Sequence, residues 1–257
     1  MQKKRPYTLS IAGFDPSAGA GLLADIKTFE CNEVYGFGVV SALTWQNDIE
    51  FNKVEWVHVH KIISQIELLL RRFDIKYIKI GLIENLNVLQ QLIAYLHKEI
   101  TEPIIIFDPI LKASAGFVFN TLQNEALILQ QFKGIYCITP NLPEVKALFG
   151  ENDLEKKLLE ISIAINIYLK GGHGNNTIVE DILYSNKTIS IFANDRIENG
   201  EKHGSGCILS AALLAQLALG NSLNIAAQKA KEYTWQALAS NSSLLAYHTK
   251  TITHETN

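Results

Sequence analysis

Short apolar runs rich in β-branched residues alternate along most of this chain with segments of helical spacing. Strands are expected over residues 7–12, 36–43, 77–83, 104–107, 135–138 and 163–169. Between them, residues 21–31, 57–70, 86–97 and 122–131 carry apolar positions three and four apart, the spacing of a helix with one buried face. The run 104–107 is apolar throughout, as a parallel strand buried on both faces must be. Residues 177–184 and 188–192 predict an antiparallel pair joined through Ser185-Asn186-Lys187. Two helices, 205–219 and 225–240, follow, and the polar tail from Thr249 is expected to fray. This βα rhythm predicts an α/β fold in one domain over residues 1–257, a mostly parallel sheet with helices on both faces. In open sheets of this kind, ligands sit beyond the carboxyl ends of the strands. Every polar cluster described below falls at such an end.

Composition narrows the class. Of 257 residues, 47% are hydrophobic and 19% charged, which suits a soluble globular enzyme with a sizeable core. A net charge of −3 offers no polyanion-binding surface, so nucleic acid is not an expected partner. The basic start Lys3-Lys4-Arg5 leads into a strand without a long apolar stretch, so no secretion signal is expected. The most apolar segment, 208–219, is too short and too polar to span a bilayer, so no membrane association is expected either. Three widely spaced cysteines form neither a disulfide framework nor a zinc pattern, and a cytoplasmic location is expected.

The most informative stretch is His203-Gly204-Ser205-Gly206-Cys207, which opens into a small-residue helix. The first amides of a helix lack intrahelical partners and sit at the positive end of its dipole. Gly204, Ser205 and Gly206 would let an anion approach them closely, and Cys207 in the first turn is expected to have its thiolate favoured. A glycine turn capping a buried helix, with Cys207 as a small core residue, explains the same letters. The other clusters are similarly two-sided. Gly19-Ala20-Gly21 fits the dinucleotide pattern only formally, because six residues separate it from the end of the first strand. Asp25 reads by itself as a solvated helix carboxylate. Gln46 offers a donor and an acceptor suited to the edge of an aminopyrimidine, and equally suits a loop. Asp108, before Pro109, could help hold Mg²⁺ or form an Asx turn. Asn141 and Glu144 have capping-box spacing, while Glu144 could also face Mg²⁺ and phosphate. Lys170-Gly171-Gly172 could admit a nucleotide and offset phosphate charge, or simply turn the chain. His58 and His60 form a metal pair without a third ligand, and no P-loop is present.

Taken in order, these clusters resemble the hydroxymethylpyrimidine (phosphate) kinases of thiamine biosynthesis, in the ribokinase-like superfamily. The resemblance rests on residues 11–21 and 24–29, Val34-Tyr35-Gly36, Thr44-Trp45-Gln46-Asn47, Lys79-Ile80-Gly81-Leu82, Asp108-Pro109-Ile110, residues 139–144, Lys170-Gly171-Gly172-His173 and residues 203–207. It implies a ribokinase-like fold and ATP-dependent phosphorylation of a hydroxymethylpyrimidine, its monophosphate, or both, with Mg²⁺. It implies that Gly13, Asp25, Gln46, Leu82 and Ile110 line the pyrimidine pocket. Asn141, Glu144, Lys170, Gly171 and Gly172 would face Mg-ATP, with Asp108 and Glu144 on the metal side. Gly204 to Cys207 would form the anion hole, Cys207 standing where sugar-kinase relatives carry an aspartate base. A homodimer is the family expectation. Trp45 stands beside Gln46 where the family has a small residue and is expected to narrow the pocket. The segment 111–116 is an unusual form of the one that follows Asp-Pro, and the short stretch 150–170 predicts a curtailed helix. A pyridoxal kinase, or a catalytically weak pyrimidine sensor, would share much of this pattern.

Overall fold

The computed structural model describes residues 4–110, 125–172, 177–198 and 200–250. The strands are β1 (Tyr7–Phe14), β2 (Tyr35–Gln46), β3 (Phe51–Trp56), β4 (Tyr77–Ile80), β5 (Ile104–Phe107), β6 (Cys137–Ile138), β7 (Asn166–Leu169), β8 (Ile178–Ser185) and β9 (Thr188–Asp195). The helices are α1 (Gly21–Cys31), α2 (Val59–Leu70), α3 (Leu86–Glu99), α4 (Glu125–Gln131), α5 (Leu142–Phe149), α6 (Leu154–Ile161), α7 (Ser205–Ala218) and α8 (Leu223–Leu238). One sheet runs β3-β2-β1-β4-β5-β6-β7-β8-β9. From β2 to β7 all pairings are parallel, and β3, β8 and β9 join antiparallel. The α/β architecture with helices on both faces is therefore as the periodicity predicts.

Strand alternation sorts the core into two layers. Ile105, Phe107 and Ile167 point to the side covered by α2 to α6, while Ile106 and Tyr168 point to the side covered by α1, α7 and α8. Helix α7 has no solvent face: Cys207 to Ala218 are all buried. A helix apolar all round belongs in the middle of a layer, and α7 lies there, packed on α1, α8, β1, β4 and β5.

Several boundaries differ from the expected ones. Strand β3 was not expected: its Asn52, Lys53 and Glu55 are exposed at the sheet edge, so no buried face imprints an apolar pattern on it. A short helix, α5, follows the Asn141–Glu144 capping box, and α6, of eight residues, is the curtailed helix expected between residues 150 and 170. Strand β7 begins at Asn166 because Ile163 lies in an exposed turn. The hairpin turns on two residues, Asn186 and Lys187, both at positive φ (45° and 59°), while Ser185 still pairs with Thr188. That is the two-residue turn whose twist suits a β-hairpin. Residues 111–116 and 122–124, His173-Gly174 and the tail beyond residue 250 lie outside the described residues.

Chain order also locates a crevice. From β1 the chain moves to β2 and β3 on one side, then returns to β4 on the other. The reversal at β1 opens the space beyond the carboxyl ends of β1 and β4, the place where such sheets bind ligands.

Behind this crevice lies a buried ion pair. Lys79 on β4 and Asp25 on α1 both have no exposed side-chain surface. The Lys79 ammonium bonds one Asp25 oxygen, Ser10 Oγ donates to the other at 2.5 Å, and Lys79 Nζ also reaches the Cys207 carbonyl at 3.5 Å. Asp25 is thus neither a solvated carboxylate nor part of a pocket wall. Burial works against a charged Lys79, but Asp25, Cys207 and Asp108 outweigh it and keep the ammonium above its usual pKa. Removing one partner of such a pair strands the other charge, at about 3–5 kcal/mol, whereas replacing both by apolar groups is often close to neutral. Accordingly, K79M is expected to lose about 3–5 kcal/mol in urea unfolding, and K79M/D25L to recover most of that loss. Equal stability of wild type and K79M would show that the pair contributes nothing.

Candidate active site

A cavity of about 1330 Å³ lies along the carboxyl edge of the sheet. Each parallel strand ends by delivering residues to its wall: Gly13 from β1, Gln46 from β2, Leu82 just after β4, Asp108 and Ile110 after β5, Asn141 and Glu144 after β6, and Lys170, Gly171 and Gly172 after β7. Gly204, Ser205, Gly206 and Cys207 at the start of α7 line the same cavity. Residues near 13–46 and near 204–207, remote in sequence, therefore share one cleft. Asp25 is the exception among the expected residues. It lies beneath the wall, in the pair with Lys79.

The start of α7 is shaped by close approach. Gly204 adopts φ +75°, and a Cβ there would lie 2.2 Å from the Gly19 carbonyl oxygen. Only glycine fits both conditions. No side chain caps the helix, so the amides of its first turn open toward the cavity. Across from them, a Cβ on Gly206 would sit 3.1 Å from Lys170 Nζ and 3.8 Å from Asp108 Oδ2. The N-terminal end of the helix and the lysine-carboxylate cluster therefore face each other at contact distance.

Lys170 Nζ donates to Asp108 Oδ1 at 2.8 Å and lies 3.8 Å from Glu144 Oε2. Burial alone would lower its pKa, but Asp108 and Glu144 outweigh that and hold the ammonium above its usual value. Asp108 does not form an Asx turn. It also accepts from Thr139 Oγ1 at 3.1 Å and Ser210 Oγ at 3.2 Å. The Asn141–Glu144 capping box is complete, with reciprocal bonds of 2.8 Å, and Glu144 faces the cavity as well. The capping reading of that pair therefore holds.

Cys207 departs from expectation. Its thiol is pushed up to about 11, first by burial and then by Asp25 and Asp108, against the lowering effect of Lys79 and of a hydrogen bond from the Gly21 amide. A helix N-terminus favours a thiolate, but here desolvation is the larger effect. Trp45 does not narrow the cavity. It sits outside that wall, 46% exposed, with Lys53 Nζ 4.4 Å from its ring centre. His58 caps α2 and stacks on His60 at 4.9 Å, and among the described residues no three His, Cys, Asp or Glu converge on a metal position.

The sequence reading missed one group beside Gly171. Asp181 on β8 accepts from the Gly171 amide (2.7 Å), Tyr168 Oη (2.9 Å) and Lys231 Nζ (2.9 Å). It thereby fixes the Gly171 backbone, where a Cβ would meet the Glu180 carbonyl oxygen at 2.1 Å. The available signal was Asp181 itself, a buried carboxylate within a strand, with Lys231 lying 50 residues later on α8. Trp235 closes the same end, its Nε1 donating to the Asp195 carbonyl at 2.9 Å.

Known proteins share this arrangement. The phosphomethylpyrimidine kinase family model matches residues 15–252. A hydroxymethylpyrimidine/phosphomethylpyrimidine kinase of Staphylococcus aureus strain Mu50 is 34% identical over 242 residues, covering 90% of this chain and 87% of the relative. Among solved structures, a phosphomethylpyrimidine kinase from Clostridium difficile 630 superposes with TM-score 0.74 and 30% identity, over 91% of this chain and 100% of that one. A Staphylococcus aureus pyridoxal kinase in complex with ADP gives TM-score 0.85 and 25% identity, over 98% and 97%. The fold is thus the ribokinase-like one shared with these kinases, and the chain belongs to the phosphomethylpyrimidine kinase family.

Proposed function

We propose that this enzyme transfers the γ-phosphoryl group of ATP to the hydroxymethyl oxygen of 4-amino-5-hydroxymethyl-2-methylpyrimidine, to the phosphate of the resulting monophosphate, or to both in turn, in thiamine diphosphate biosynthesis. The observation that carries this reading is the shared cavity, in which the amides of α7 face Lys170 and Asp108 between two sets of strand ends. Gly13, Gln46, Leu82 and Ile110 supply a largely apolar wall with one carboxamide, suited to an aminopyrimidine edge. Asn141, Glu144, Lys170, Gly171 and Gly172 take the nucleotide side.

The Asp108 and Glu144 carboxylates fit Mg²⁺ as it is normally held, by one or two carboxylates together with substrate phosphates. When bound, the ion would offset phosphate charge. Phosphoryl transfer needs little covalent work from the protein, so positioning and charge stabilisation dominate. The Gly204–Cys207 amides hold the transferring oxygens, and the Lys170 ammonium compensates their charge. Cys207 takes the hydroxyl proton only from its thiolate form, becoming the neutral thiol as the new P–O bond forms, and the raised pKa of about 11 keeps that form a small fraction at neutral pH. The three free cysteines agree with a reducing cytoplasm. Exposed Leu43, Trp45 and Ile49 near edge strand β3 offer an apolar surface for a homodimer. No helix among the described residues is long and apolar enough to cross a membrane.

The pyridoxal kinase superposition supports a second reading, with a pyridine in place of the pyrimidine. Mass spectrometry of products from hydroxymethylpyrimidine, its monophosphate and pyridoxal with Mg-ATP distinguishes them. A pyrimidine phosphate is expected as main product, with kcat/KM for the better pyrimidine at least about tenfold above that for pyridoxal. Higher kcat/KM for pyridoxal would transfer the assignment, and binding of pyrimidine without ADP release would favour the sensor.

C207A is expected to lower kcat at least about tenfold. In the wild type, kcat/KM should keep rising with pH beyond 8, since the thiolate fraction grows toward the raised pKa of about 11. The rise should be absent in C207A. Replacing Lys170 by Met is expected to lower kcat by about 10²–10³-fold, the loss typical of one charge-stabilising donor. Steady-state kinetics on each variant checks both, and unchanged turnover removes the residue from the mechanism.

A further inference from the structure

The anion-binding loop is fastened through His203, which lines the cavity just before Gly204. Asp15, fully buried, is the hub. Its carboxylate accepts from the Ser17 amide at 2.9 Å, from Ser17 Oγ at 2.8 and 2.9 Å, and from the Ala20 amide at 2.8 Å. The fifth contact crosses 188 residues of sequence to His203 Nε2 at 2.9 Å. Burial raises the Asp15 pKa, yet the bonds from His203, Ser17 and Ala20 outweigh it and hold the group below its usual value. An ionised carboxylate only accepts, so Nε2 carries the hydrogen.

His203 is the residue before Gly204, and its surroundings lock it from three sides. The imidazole packs so closely on Gly19 that a Cβ there would lie 2.7 Å from its Cδ2. Its main-chain amide donates to the Leu244 carbonyl at 2.9 Å. The neighbouring Lys202 ammonium holds the Asn241 and Ser243 carbonyls. The loop of residues 15–20 lies between Gly13 and Gly21, both on the cavity wall, so whatever fixes His203 to Asp15 also fixes the anion hole relative to the pyrimidine side.

We propose that His203 is a positioning residue: its bond to Asp15 sets the distance between the Gly204–Cys207 amides and a substrate hydroxyl held on the Gly13 and Gln46 side of the cavity. Misplacing a reacting group by about 1 Å costs on the order of 10²-fold in rate. The two substrates' own contacts, on Gln46 and on the β6 and β7 ends, do not pass through the latch. Its loss therefore falls on kcat and leaves KM largely in place. This inference rests on the kinase reading above.

The test compares H203L, which keeps bulk but removes the donor, with H203Q, whose amide nitrogen reaches about as far as Nε2, and with D15N and D15N/H203L. Kinetics are taken on whichever of hydroxymethylpyrimidine and pyridoxal the wild type phosphorylates faster, so a wrong choice of substrate leaves the latch still tested. Expected are a fall in kcat of about 10- to 100-fold for H203L, KM for both substrates within about twofold, and H203Q within about threefold of wild type. The double variant should be no slower than the slower single one, as for two halves of one interaction. If H203L does not fold, H203N replaces it, since its shorter amide stops short of Asp15. An unchanged kcat, raised KM with kcat intact, H203Q as slow as H203L, or multiplicative losses in the double variant would each overturn the proposal.

Discussion

Everything at this site depends on where one wholly buried helix begins. Helix α7 has no face for solvent, so its position is set by packing against α1, α8 and the sheet. Its N-terminal amides, which the helix cannot satisfy internally, are thereby delivered to the carboxyl edge of the sheet. Had the turn before it been bulkier, the helix could not start there, because Gly204 has no room for a Cβ against Gly19 and Ala20. Packing in the core thus decides where the first-turn amides meet the cavity rim.

The charges around that helix start follow from the same geometry. Lys79 and Asp25 lie behind it, fully buried, and Lys170 and Asp108 before it, Asp108 buried and Lys170 partly exposed. Buried pairs contribute little net stability compared with apolar packing of similar volume. Their value here is directional. The rear pair places a cation at the Cys207 carbonyl without exposing it to ligand. The front pair leaves its lysine at the cavity surface, facing Gly206. One cation therefore supports the protein backbone while the other lines the cavity.

Much of the fold was legible because it is written in periodicity. The apolar run of β5 and the hairpin of β8 and β9 stand close to where the pattern put them. What escaped was written in other terms. Strand β3 lies at an edge, where alternation is not enforced by burial, and α5 is too short for helical spacing to show. At the site, glycines and strand-end residues were readable because their chemistry is local. Asp25 was misjudged because a carboxylate on a helix looks solvated until its partner, 54 residues away, is known to be buried with it. Asp181, His203 and Asp15 act through bonds spanning 10 to 188 residues, and no local pattern records such pairings.

Cys207 shows most clearly how local and tertiary effects compete. Its place in the first turn of a helix argues for an ionised sulfur, and its neighbour Lys79 argues the same way. Against them stand complete burial and two carboxylates, and these prevail. The result is chemically useful. Under the proposed function, a sulfur already ionised there would repel the phosphoryl oxygens that the α7 amides would receive. A neutral thiol leaves that end of the helix electropositive while phosphate approaches, and only the small thiolate fraction has a lone pair basic enough to take the substrate proton. In the proposed mechanism the burial of Cys207 therefore favours anion binding over proton transfer, because it keeps the base form scarce.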